Sequence, residues 1–240
     1  FPETALPSYL VRDNRTRGNL QSTVNGSDIP LLTGTIHTSF ENNFRYYYNS
    51  SMFIIPQKKY ELYSKIHLVP FAEYDLIPSI FHPLTKLNIN IDRGNFKSGN
   101  NYKVFKHENL LFSNLICYES SIPKISRTFV SKGAEFLIIQ ANDGWLGSSF
   151  GPYQHFELAR LRAIENRIPI VRCANTGISG IINIDGSIKT KVLLNEEKII
   201  FESLSSNKNG SFYTKYGDIF AIIISIIILI VILYKCRKYF

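Results

Sequence analysis

At 240 residues and 27.5 kDa, the chain is long enough for one sizeable globular domain and too short for three. Its 45% hydrophobic, 13% aromatic and 19% charged residues argue against disorder and for a packed core. The net charge of +8 suits nucleic acid, anionic lipid or neither, while three scattered cysteines with no CxxC pair and no HExxH argue against a disulfide framework and a Cys/His zinc site.

In chain order, Phe44 to Tyr48 and Met52 to Ile55 flank Asn49-Ser50-Ser51, a pattern that predicts a hairpin. Tyr60 to Val69 reads as a further extended run, stopped by Pro70, and residues 75–109 as an irregular loop. Leu110 to Cys117 predicts a strand that ends at the cysteine. Pro123 to Lys132 predicts a helix, with Pro in its first turn and Gly133 just past its end. Glu135 to Gln140 reads as a strand, and Tyr153 to Arg167 as a helix with Leu158, Leu161 and Ile164 on one face. Asp185-Gly186 between alternating isoleucines predicts a hairpin over Ile178 to Thr190. Strand, helix, strand, helix and hairpin in that order point to a layered α/β domain.

The chain closes on Ile219 to Tyr234, sixteen residues without charge, Pro or Gly, of which nine are isoleucine. As a helix this stretch spans roughly 24 Å, or roughly 28 Å counted from Tyr216. Set against a hydrocarbon core about 30 Å thick, it predicts a short membrane span. Tyr213, Tyr216 and Tyr234 stand where interfacial aromatics belong, and Lys235, Arg237 and Lys238 mark a cytoplasmic end. The expected division is a catalytic domain over residues 1–210, a membrane helix over 216–234 and a basic cytoplasmic tail over 235–240. The domain would then lie outside the cytoplasm. No span or signal precedes it, and the chain opens with Phe1 rather than Met, so further residues are expected upstream.

Three stretches carry chemistry. Glu3 lies in Pro2-Glu3-Thr4, Lys65 in an apolar strand, and Cys117 at the end of another, where a turn would lift the thiol into a cleft. A thiol attacks a carbonyl as thiolate and needs a base, which a partly buried glutamate can supply. A lysine beside it can lower the thiol pKa and hold a developing oxyanion. Each residue also has a plain structural reading, since a lone cysteine after an apolar run is more often a core residue.

Pro2-Glu3-Thr4, Lys65 to Tyr74, Cys117-Tyr118-Glu119 and Asn142-Asp143-Gly144-Trp145-Leu146-Gly147 run in the order of a known pattern. Gln154-His155, Ala159 to Ala163, Asn175-Thr176-Gly177 and Tyr213 to Asp218 extend it. The chain resembles the nitrilase superfamily of carbon–nitrogen hydrolases, and more closely its membrane-bound branch, the apolipoprotein N-acyltransferases. Ala72, Gly144 and Leu146 depart from the family's Gly, Ala and Phe, and none replaces a reactive group. The resemblance implies an αββα sandwich followed by one transmembrane helix, with the first strand and helix of the sandwich and some seven membrane helices expected upstream of Phe1.

It also implies roles. Glu3 would be the general base, Lys65 the stabiliser of oxyanion and thiolate, and Cys117 the nucleophile. Glu73 would orient the lysine, Tyr118 and Glu119 would shape the nucleophile's elbow, and Trp145 would line the mouth through which acyl chain or lipoprotein arrives. No cofactor or metal is implied. His67 and His155 read as structural hydrogen-bonding residues and Cys173 as a buried inert thiol. Lys58-Lys59 and Arg160-Leu161-Arg162 read as solvated faces or lipid-headgroup contacts rather than nucleic-acid sites. The implied activity moves an acyl chain from a phospholipid, through a cysteine thioester, to the amine of a diacylglyceryl-cysteine apolipoprotein at the periplasmic face of a bacterial inner membrane. A membrane-anchored amidase and an inactive truncated remnant are the alternatives.

Overall fold

The first residues cross the face of an antiparallel sheet, and everything after them builds two sheets with helices outside. The computed structural model describes residues 1–6, 9–41, 43–70, 72–74 and 96–239. Helix α1 (Asn14–Ser27) is capped by Asp13, whose carboxylate accepts from the Thr16 amide at 3.0 Å. It leads into β1 (Leu31–Glu41), β2 (Phe44–Ile54) and β3 (Glu61–Ser64), which form a three-stranded antiparallel sheet in that order. The second sheet has the order β4 (Phe105–His107), β5 (Leu110–Ile116), β6 (Phe136–Asn142), β7 (Ile170–Asn175), β8 (Ser179–Ile182) and β9 (Ile188–Val192). Its β5–β6 and β6–β7 pairs are parallel and the outer pairs antiparallel.

Helices α2 (Pro123–Ser131) and α3 (Gly151–Asn166) make the crossovers of the parallel pairs and cover the second sheet. On the other side α1 packs Val24 and Leu20 against Met52 and Ile54 of β2. The sheets meet in a core where Phe53 touches Phe105 and Phe112 edge-on at centroid distances of 5.4 and 5.1 Å. Helix, sheet, sheet, helix is the predicted sandwich.

The predicted hairpin at Asn49-Ser50-Ser51 is absent: Phe44–Ile54 is one continuous strand, and the chain reverses between Glu41 and Phe44, where Asn43 has φ +64°. All three polar residues are buried. Ser51 Oγ donates to Gln140 Oε1 at 2.5 Å and accepts from Asn114 Nδ2 at 2.6 Å, a polar bridge between the sheets. Buried polar groups with partners are stable in a strand, and here the partners come from the other sheet. The extended run from Tyr60 forms a strand only over Glu61–Ser64. Of the predicted loop, residues 75–95 lie outside the described residues, and the remainder contains β4.

The apolar face predicted for α3 also fails. Leu161 and Ile164 are exposed, and the buried face is Phe156, Ala159 and Ala163 with His155, Arg162 and Asn166. Small residues there let the helix sit close on α2 and on the turn after Cys117. Ile164 instead lies over the β8–β9 turn, where Gly186 has φ +80° and a Cβ would meet it at 2.6 Å. Arg162 is accordingly no solvated cation: it donates to the Ser121 carbonyl at 3.1 Å and to Glu165 at 2.7 Å. Cys173 on β7 is half-buried rather than buried.

Helix α4 (Phe212–Tyr216) is held to the domain by Arg127, which donates to the Tyr213 and Lys215 carbonyls at 2.9 and 3.1 Å. After Gly217 comes α5 (Ile219–Tyr239), whose Ile219–Cys236 stretch has a mean hydropathy of 3.0 and no buried residue. It is long and apolar enough to cross a membrane.

Candidate active site

The site forms where the Glu3 segment, the end of β3 and the ends of β5 and β6 converge. Gly34 on β1 admits the first of these: its amide donates to the Pro2 carbonyl at 3.3 Å, and a Cβ there would lie 2.5 Å from the Thr4 nitrogen. Glu3 is thereby buried, 6% exposed, with both carboxylate oxygens engaged. Asn49 Nδ2 donates to Oε1 at 2.7 Å and the Asn142 amide, at the end of β6, donates to Oε2 at 2.8 Å.

Lys65 follows β3 and is 1% exposed. Its amide donates to the Asn49 carbonyl at 2.8 Å, which fixes the backbone beneath it. Its Nζ stands 2.8 Å from Glu73 Oε2, 2.9 Å from Glu73 Oε1 and 3.8 Å from Glu3 Oε1. Burial pulls the lysine pKa down, but the Glu3 and Glu73 carboxylates outweigh it and leave the pKa above the ordinary value. Lys65 is therefore a fixed cation. Glu73 is held in turn by the Val69 amide at 2.7 Å and by Asn49 Nδ2 at 3.0 Å, so Asn49 bridges the two carboxylates.

Cys117 begins a short 3-10 turn (Cys117–Ser121) directly after β5 and has φ +51°. That conformation costs a non-glycine residue about 1–3 kcal/mol and persists only where its surroundings over-determine it. Burial and then the Glu3 carboxylate push the thiol up to about 12, against the pull of Lys65 and the Asn142 amide. The lowering pull expected of the lysine is present and is outweighed by burial and Glu3. The buried setting therefore favours the neutral thiol.

Glu119 is fully buried and ties the lysine's loop to the cysteine's turn. Its Oε1 accepts from the Ile66 amide at 2.7 Å, the His67 amide at 3.1 Å and the Tyr63 hydroxyl at 2.7 Å, and its Oε2 accepts from the Ile116 amide at 2.8 Å. Desolvation raises its pKa. Tyr118 lies at the surface with its ring centroid 6.0 Å from that of His67, which is exposed. Beside them Ile66, His67, Leu68, Tyr74, Phe96 and Ser98 line a cleft of about 350 Å³. Trp145 is 89% exposed on the turn that follows Asn142 and is not a wall of that cleft. His155 is buried and hydrogen-bonded behind the cysteine turn.

The structure therefore brings Glu3, Lys65 and Glu73 into one ion-paired cluster and sets Cys117 within its field. Sequence reasoning missed Asn49, which reads as turn residue and is the bridge between both acids. Its signal was the period of two: Asn49 and Ser51 share the strand face that looks between the sheets. Among the described residues no group of His, Cys, Asp and Glu is arranged to hold a metal ion.

A family model for carbon–nitrogen hydrolases matches residues 1–212. The chain belongs to the carbon–nitrogen hydrolase family. Apolipoprotein N-acyltransferases of Geobacter metallireducens and Rickettsia typhi are 32% and 35% identical to it over 92% and 90% of its length. The chain spans 42% and 43% of those relatives. The crystal structure of a carbon–nitrogen hydrolase from Helicobacter pylori, 16% identical, covers 79% of this chain and 66% of its own with a TM-score of 0.60, so the family fold holds across that divergence.

Proposed function

We propose that the protein is an N-acyltransferase that moves an acyl chain from a phospholipid to Cys117 as a thioester, and from there to the amine of a diacylglyceryl-cysteine apolipoprotein. The observation that carries the reading is the buried Glu3–Lys65–Glu73 cluster beside a cysteine at φ +51°, in a chain similar to apolipoprotein N-acyltransferases over some nine-tenths of its length.

Glu3 takes the thiol proton as sulfur attacks the ester carbonyl, because burial disfavours a preformed thiolate. Lys65 faces the negative charge that develops on the carbonyl oxygen, and Glu73 holds the lysine in place. The tetrahedral intermediate collapses with loss of the lysophospholipid alcohol, which Glu3 reprotonates. The lipoprotein amine then attacks the thioester, Glu3 accepts its proton, and amide forms as the thiol leaves. The cleft lined by Ile66, Leu68 and Phe96, next to the His67–Tyr118 ring pair, would take the acyl chain.

The domain spans residues 1–210, anchored by a helix over 216–234 with the tail at 235–240 in the cytoplasm of a bacterium and the site on the periplasmic side of the inner membrane. No cofactor enters this reaction. Ile77 to Phe81, whose apolar residues would help to exclude water, lie outside the described residues. The test is to incubate the membrane-embedded protein with phospholipid alone and weigh the peptide that holds Cys117. A fatty-acyl mass that hydroxylamine releases, and that a diacylglyceryl peptide converts to amide, supports the transferase. Steady release of free fatty acid with no loaded cysteine supports a hydrolase instead.

A further inference from the structure

Behind the cysteine turn lies a buried polar chain that touches no substrate position. Arg172 on β7, 1% exposed, donates from Nη2 to Asp143 Oδ2 at 2.7 Å and from Nε to the Ile178 carbonyl at 3.0 Å. Asp143 Oδ1 stands 2.7 Å from His155 Nδ1. An ionised carboxylate only accepts, so Nδ1 carries a proton toward it and the imidazole is fixed in orientation. His155 Nε2 then lies 3.1 Å from the Cys117 carbonyl oxygen and 2.8 Å from Ser120 Oγ, which itself stands 2.8 Å from that carbonyl and can give its one proton to either the carbonyl or Nε2. The aspartate has no slack: a Cβ on Gly177 would meet its Oδ2 at 2.1 Å.

Two features give this chain a purpose. It ends on the carbonyl of the one nucleophile candidate that sits at positive φ, a conformation that needs external support. It begins at Asp143, next in sequence to Asn142, whose amide holds Glu3. The base is held by the end of β6 and the nucleophile follows the end of β5, and the Asp143–His155 pair ties those ends together.

We infer that His155, oriented by Asp143 and Arg172, is a positioning residue that holds the Cys117 elbow in register with Glu3. The inference rests on Cys117 as the nucleophile. His155 touches no reacting atom, and its loss acts on alignment, where a misplacement near 1 Å costs about 10²-fold in rate.

The test measures acyl loading of Cys117 from phospholipid alone in the membrane-embedded protein, together with iodoacetamide alkylation of Cys117 followed by peptide mass. His155→Ala should load about 10²-fold more slowly with the donor KM within about twofold of the parent. His155→Gln places an amide near the position of Nε2 and should recover about tenfold of that loss. If the alanine variant fails to fold, Ser120→Ala reports on the same carbonyl and should slow loading about tenfold. Loading by His155→Ala or Ser120→Ala within about twofold of the parent would overturn the inference, as would a folded Gln variant no faster than Ala. A failure of the thioester reading itself has a different signature: Cys117→Ser would stay active, while alkylation of Cys117 in the other variants still reports elbow geometry.

Discussion

At the buried floor of the site, Glu3, Lys65 and Glu119 are 6%, 1% and 0% exposed and each has its polar atoms engaged, whereas on the turns that follow β6 Trp145 and Phe150 are 89% and 81% exposed. The floor is held by groups from distant sequence: Asn49 to Glu3, Asn142 to Glu3, Glu119 to the Ile66 amide. The turn carrying Trp145 is held by local contacts such as the Asn142 side chain accepting from the Gly144 amide at 3.2 Å. Buried charge in a preorganised setting favours chemistry, since its dipoles need no reorganisation during reaction. Exposed aromatics on a short turn favour capture of a bulky apolar partner. Changes at the floor should therefore appear in kcat, and changes on the exposed turn in KM.

Three substitutions probe that division. Cys117→Ser should abolish acyl transfer, by more than about 10³-fold, because a hydroxyl at that position is ionised far less than a thiol. Lys65→Ala should cost on the order of 10² to 10³ in kcat with donor KM little changed. Steady-state kinetics on vesicle-bound substrate separates the two constants. A loss confined to KM at Lys65 would break the assignment of the floor to chemistry. Trp145→Ala should raise the KM for the lipid substrate by about tenfold or less and leave stability within about 0.5 kcal/mol, as for exposed side chains generally.

A fourth substitution separates scaffold from chemistry within the floor. Glu119→Gln keeps the shape but turns an amide NH₂ toward backbone donors, and should cost about 1–3 kcal/mol in denaturant unfolding. Cys173→Ser, on the half-buried face of β7, should change activity and stability little.

The same division explains what the sequence disclosed. β5, the turn at Cys117, α2, β6 and the β8–β9 hairpin were legible because apolar runs end at unambiguous punctuation: Pro123, Gly133, Asp185-Gly186. α1 was not, since Leu20 and Val24 are the main apolar residues it offers to β2. β1 and β2 hid for a related reason: Thr33, Thr35, Asn49 and Ser51 are buried, and the partners of Thr35, Asn49 and Ser51 lie far along the chain. Polar residues in a strand look like a turn until the opposite sheet is in view. Arg172 and His155 were hidden the same way, as buried charge is visible only with its partner Asp143. Glu3, Lys65 and Cys117 stood out through resemblance, and geometry adds what no spacing holds: that the thiol beside them is pushed up rather than down.

That last point gives the most direct test of the central claim, that Glu3 acts as base on a thiol that is neutral at rest. The Glu3 anion raises the Cys117 pKa, so Glu3→Gln removes both the base and that repulsion. Alkylation of Cys117 by iodoacetamide, read across pH 7 to 10, should become faster in Glu3→Gln than in the parent, because more thiolate is present at each pH. Acyl loading of the same cysteine from phospholipid should instead fall by about 10²-fold or more. Opposite movement of the two rates is the predicted result. Loading at the parental rate, or alkylation and loading falling together, would contradict the account.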